Sequence, residues 1–197
     1  MKPARPWSTT VSDAQSRRRT FPWWMAMIPL VIGYLIDQIT KYVVVENMSE
    51  GQSIPVIPPL LHWYFIRNPG AAFSIGTDYT WIFTIIQTLA LGVVMYLIIS
   101  RARTLPWLIT LGCLAAGIAG NLTDRLFREP GFGVGHVVDF ISLPNFAIFN
   151  IADSLIVCSM IAVVILIFTG LPMNDHAAED EAPVEPARTE SPENVSD

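Results

Sequence analysis

Residues 105–126 read LPWLITLGCLAAGIAGNLTDRL, an apolar run that closes on an amide, an acid and a base. As a helix rising 1.5 Å per residue it would span about 33 Å, enough to cross a hydrocarbon core of about 30 Å. Three further runs of similar length and character lie at about 23–45, 79–99 and 146–171. The chain is 52% hydrophobic and only 15% charged, where soluble domains carry roughly 25% charged residues. The fold expected is an all-α membrane protein: four transmembrane helices with a small β-rich extracytoplasmic loop region.

Charge sets the expected orientation, because short cytoplasmic loops collect Lys and Arg. Lys2, Arg5, Arg17, Arg18 and Arg19 precede the first run, and Arg101 and Arg103 join the second to the third. Both segments are therefore expected in the cytoplasm, and four spans return the C-terminus to the same side. The first run is too long for a signal-peptide core and carries Asp37 and Lys41, so it reads as a retained helix. The net charge of −5 comes from the tail: residues 172–197 hold eight acids and one base. That composition predicts disorder. The expected organisation is a cytoplasmic arm at 1–22, a four-helix domain at 23–171 and an acidic cytoplasmic tail at 172–197.

Two outer loops follow, at about 46–78 and 127–145. Residues 54–57 and 60–66 are rich in β-formers, and the turn Asn68-Pro69-Gly70 follows them, which predicts a small sheet on the membrane surface. The second loop carries Gly131, Gly133 and Gly135 and reads as mobile. Cys113 and Cys158 sit in apolar runs as small core residues, and His62, His136 and His176 are scattered, so no metal ligand set is legible. No cofactor and no nucleic-acid partner is expected.

Ionisable residues inside a spanning helix are costly and point to function. The third run ends Asn121-Leu122-Thr123-Asp124-Arg125 and the fourth begins Asn150-Ile151-Ala152-Asp153. In each, an Asn and an Asp three residues apart share a helical face. The two helices are antiparallel neighbours, so Asp124 and Asp153 are expected to face each other just inside the outer interface. Two such carboxylates share one proton, so one serves as base and the other as acid, the chemistry of an aspartic peptidase. Asn121 and Asn150 would orient the acids or hold substrate.

Asp139, in an alternating stretch, reads either as a partner of Arg125 or as a solvated loop acid. Asp37 and Lys41, four apart on the first helix, read as a structural pair with Lys41 snorkelling outward, or as support for the site. Asn68 and Gly70 read as an ordinary turn at the water–lipid boundary.

Taken together, Asp37-Gln38-Ile39-Thr40-Lys41, Asn68-Pro69-Gly70-Ala71-Ala72-Phe73-Ser74, Gly120-Asn121-Leu122-Thr123-Asp124-Arg125, Val137-Val138-Asp139-Phe140 and Phe149-Asn150-Ile151-Ala152-Asp153 resemble the bacterial lipoprotein signal peptidase family, also called signal peptidase II. The resemblance implies a multi-pass plasma-membrane hydrolase, an aspartic endopeptidase that cuts diacylglyceryl-modified prolipoproteins just before the lipidated cysteine. It implies a catalytic dyad at Asp124 and Asp153. Asn68, Gly70, Asn121, Arg125 and Asn150 would line the site or bind substrate, and Asp37, Lys41 and Asp139 would support it. Membrane lipid and globomycin-type inhibitors are the other partners implied, and a monomer is expected. The competing readings are a transporter using intramembrane acids and a serine/lysine peptidase using Ser154 or Ser74 with Lys41. The acids cluster toward one face, which argues against a transport pathway.

Overall fold

The computed structural model describes residues 20–70 and 79–174. The arm before residue 20, residues 71–78 with Ala71, Ala72, Phe73 and Ser74, and the acidic tail from 175 lie outside the described residues. The expectations made for them, including disorder of the tail, therefore have no structural counterpart here.

A single 3-10 turn, Trp23–Ala26, leads into α1 (Met27–Asn47). Then come β1 (Ser53–Ile57), β2 (Leu61–Asn68), α2 (Thr80–Ser100), α3 (Leu105–Phe127), β3 (Val137–Ser142) and α4 (Ile151–Phe168). All four α-helices are long and apolar enough to cross a membrane. Of their apolar stretches, 72% of that in α3 is buried within the protein against 11% in α4. Helix α3 is thus the axis, and α1, α2 and α4 pack around it with large apolar side chains such as Ile39, Leu89 and Val157 turned outward. Outward-facing apolar surface on three helices is what lipid requires.

Small residues let the helices approach α3 closely. A Cβ on Gly117 would run into the carbonyl of Ala152, and one on Gly120 into the carboxylate of Asp37. The second of these glycines admits a charged group from α1 into the centre of the bundle.

The strands form one antiparallel sheet in the order β1-β2-β3. Phe65 from β2 and Val138 and Phe140 from β3 pack on Val44 and Met48 at the end of α1 and on Ile151 at the start of α4. The sheet therefore caps one end of the bundle. Its third strand comes from the segment between α3 and α4: the stretch around Asp139, whose alternation suits an extended segment, forms β3, and Gly131, Gly133 and Gly135 lie before it. The β-branched and aromatic run at 137–142 pairs with β2, placing Asp139 opposite Ile66. Gly135 is pressed against the carbonyls of Asp124, Arg125 and Arg128, and its N–H donates to the Arg125 carbonyl at 2.9 Å.

The fourth helix begins later than expected, at Ile151 rather than about residue 146. Phe149 instead bridges to Ile141 in extended conformation, and Asn150 caps the helix. The side chain of Asn150 accepts from the Asp153 N–H at 2.9 Å, and the Asp153 carboxylate accepts from the Asn150 N–H at 3.1 Å. This reciprocal cap fixes Asp153 in the first turn of α4.

Candidate active site

The polar residues of α1, α3, α4 and the sheet form two connected layers. The deeper one is an ion cluster. Lys41 Nζ lies 2.9 Å from Asp37 and 2.8 Å from Asp124, and donates to Asn121 Oδ1 at 2.9 Å. Its three donors are thereby used. Arg128 Nε meets the other oxygen of Asp124 at 2.6 Å. Asp37 also accepts from the Ala152 N–H at 2.9 Å, tying α1 to α4. Lys41, Asp37 and Asp124 are at most 1% exposed. Lys41 does not snorkel outward as the sequence suggested. Two inward carboxylates and an amide give its charge better partners than a lipid-side path to the interface.

Above this cluster Asn121 and Asn150 act as connectors. The Asn121 amide nitrogen donates to Asp153 at 2.7 Å, and its oxygen accepts from Lys41 and, at 3.1 Å, from Asn150. Asn150 Nδ2 donates at 2.6 Å to Asp139, whose second oxygen accepts from Asn68 at 2.9 Å. Asp139 is therefore neither a solvated loop acid nor, among the described residues, ion-paired to Arg125. It is 2% exposed and held by two amides.

Burial above all, helped by the neighbouring charge of Asp153, pushes the Asp139 carboxyl up to about 7. The Asn68 and Asn150 hydrogen bonds and the Lys41 charge pull the other way.

A cavity of about 660 Å³ opens beside this layer. Asp139, Asp153, Asn68, Asn121 and Arg125 reach it, and Phe83, Phe146 and Phe149 line its apolar walls. Asp124, Asp37 and Lys41 do not. The expected face-to-face meeting of Asp124 and Asp153 is thus absent. The shared face of Asn121 and Asp124 looks into the space between α1 and α4, where Asn121 reaches Asp153 while Asp124 turns to the cations. The acid that stands with Asp153 at the cavity is Asp139.

Arg125 is buried at the cavity, with one guanidinium nitrogen donating to the Gly70 carbonyl at 2.9 Å and its Cζ 5.6 Å from the centroid of the Phe83 ring. Its Nε and Nη1 have no hydrogen-bond partner among the described residues. Gly70 in turn donates its N–H to Asn68 at 3.0 Å, so the turn after β2 is part of the site. Sequence reasoning passed over Arg128, although an acid four residues before a base on one helix is a legible pairing signal. It also passed over Phe83 and Gln87, which nothing in the sequence separates from the rest of α2. No group of residues able to hold a metal ion occurs among the described residues.

Comparison with known proteins gives a consistent picture. A family model described as signal peptidase (SPase) II matches residues 29–169. The lipoprotein signal peptidase of Leifsonia xyli subsp. xyli is 48% identical over 181 residues, covering 87% of this chain and 83% of that one. That of Streptomyces griseus subsp. griseus is 50% identical over 141 residues, covering 72% and 71%. A bacterial membrane enzyme solved by the in meso method at 2.3 Å superposes with a TM-score of 0.70 at 31% identity. The match covers 85% of this chain and 99% of that one.

Proposed function

This chain belongs to the signal peptidase II family, and from that premise we propose that Asp139 and Asp153 are its catalytic acids, with Asp124 holding the site from behind. It is a multi-pass bacterial membrane hydrolase that removes signal peptides from lipoprotein precursors. The observation that supports this pair is their shared access to one cavity, while Asp124 is occupied by Lys41 and Arg128.

The reaction needs one carboxylate and one carboxylic acid between the two residues. Asp153 receives two N–H donors and lies in the first turn of α4, where the helix dipole favours a negative group. Asp139, deep in the sheet, carries the proton. A water between them gives a proton to Asp153 and attacks the scissile carbonyl carbon. Asp139 donates its proton to the carbonyl oxygen, giving a gem-diol. Collapse of the gem-diol breaks the C–N bond. The proton on Asp153 goes to the leaving nitrogen, and a diol hydroxyl returns one to Asp139.

Asn121 and Asn150 hold the two carboxylates at fixed separation, Asn68 and Gly70 form the rim, and Arg125 offers spare donors to a substrate carbonyl. Asp37 and Lys41 keep Asp124 and Asn121 in place. The substrate fitting this position is a diacylglyceryl-modified precursor, cut just before the lipidated cysteine. Its acyl chains stay in membrane lipid while the peptide enters the cavity. Globomycin-type peptides would inhibit by occupying that cavity. The enzyme is proposed to act as a monomer. Both termini lie in the cytoplasm and the sheet outside.

The test is cleavage in lipid of lipobox peptides with and without the diacylglyceryl group. Cleavage confined to the modified peptide is expected. Equal cleavage of both would reject the lipid-dependent part of the reading, and no cleavage by wild type would reject the site.

A further inference from the structure

Gln87 has no assigned role, yet it places an amide in a helix otherwise built for lipid. It lies seven residues below Thr80, the end of α2 nearest the sheet, which is about 10 Å toward the membrane interior. It lines the same cavity as Asp139 and Asp153. Its Oε1 is buried and has no hydrogen-bond partner among the described residues. Apart from Arg125, whose Nε and Nη1 are also without a partner among the described residues, the other hydrogen-bonding side chains at the cavity are engaged within the protein: Asn68, Asn121, Asp139 and Asp153 as described, and Ser154 by donating to the Asn150 carbonyl at 3.1 Å. Arg125 stands over Phe83, one turn above Gln87. Beside this α3 cation, the α2 wall runs inward from a ring to an unsatisfied amide.

An unpaired amide at that depth costs free energy unless something that enters the cavity satisfies it. A peptide cut by two carboxylates must present an extended segment, whose own N–H and C=O groups lose their helical partners. Water is scarce there, and the facing walls are largely apolar. A glutamine amide carries the acceptor and donor that such a main chain lacks.

We propose that Gln87 is a positioning residue that hydrogen-bonds the substrate main chain on the signal-peptide side, within the first few residues before the scissile bond. The mature part of the precursor lies outside, so only the signal-peptide side reaches this depth. The inference rests on the reading of Asp139 and Asp153 as the catalytic pair.

The experiment compares the full-length wild type with Gln87→Met in lipid nanodiscs. The substrates are diacylglyceryl lipobox peptides in which single amides at the second to fourth residues before the scissile bond are replaced by esters. An ester deletes one N–H and leaves the side chains intact. Gln87→Met should fold normally, since methionine suits a lipid-facing helix, and should lose about three- to tenfold in kcat/KM on the all-amide peptide. One ester position should cost the wild type a similar factor and cost Gln87→Met nothing further. A merely structural role would not produce that selective insensitivity. Unchanged cleavage by Gln87→Met, or ester losses equal in both proteins at every position, would overturn the proposal. A wild type that cuts none of the peptides would reject the peptidase site and this inference with it.

Discussion

Lys41 shows how much the site depends on single side chains. Its ammonium is the only cation within reach of Asp37 among the described ion pairs, and one of two that hold Asp124. Lys41→Met would leave two buried carboxylates short of a partner. Breaking a buried pair costs about 3–5 kcal/mol, so this variant should lose thermal stability sharply as well as activity, measurable as a lowered Tm in detergent. Asp139 acts in the opposite sense. Its carboxyl is pushed up from 3.8 to about 7, so the folded protein holds this proton more tightly than the unfolded chain. That contribution is fully present below about 3.8 and is lost as pH rises toward about 7. The stability of Asp139→Asn relative to wild type should therefore improve as pH rises from 4 to 8, as thermal melts at both pH values would record. Catalysis needs the same proton, so kcat/KM should fall as pH rises through about 7. Asn68→Ala removes a hydrogen bond that lowers the Asp139 value and should move that alkaline limb to higher pH.

The four spans were legible because lipid imposes length and apolarity on every segment that crosses it. The site was legible only in part. Spacing put Asn121 with Asp124 and Asn150 with Asp153 on common faces, but spacing does not say which neighbour a face meets. Asp124 meets Lys41 and Arg128, and Asp139 arrives from a strand whose pairing with β2 is a long-range contact. The start of α4 was misplaced because the apolar residues 146–149 suit a helix as well as the extended segment they form. Gly120 couples α1 to α3 and α4, since a Cβ there would meet the Asp37 carboxylate and the Ala152 side chain. Gly120→Ala should cost about 1–3 kcal/mol by overpacking and displace Asp37 from the Ala152 N–H. A lowered Tm with reduced activity would record this. A Tm equal to wild type would mean that α1 moves aside freely.

At the scale of the molecule, a bundle offers lipid three apolar helices and buries the fourth, and a sheet at one end holds an acid over the polar centre. If that end faces outward, a single cysteine introduced at position 131 should react with a membrane-impermeant maleimide added to intact cells, and one at the exposed position 101 should not. The reverse pattern would invert the topology. The account turns on which two acids do the chemistry. The most direct measurement is single-turnover cleavage of a diacylglyceryl lipobox peptide by Asp139→Asn, Asp153→Asn and Asp124→Asn, each with its Tm. Asp139→Asn and Asp153→Asn should each lose at least about 10²–10⁴-fold with only a modest fall in Tm at pH 8, each amide keeping one of the two acceptor contacts, and Asp124→Asn should lose activity together with a larger share of stability. Substantial cleavage by Asp139→Asn, with Asp124→Asn inactive at an unchanged Tm, would return the catalytic role to Asp124.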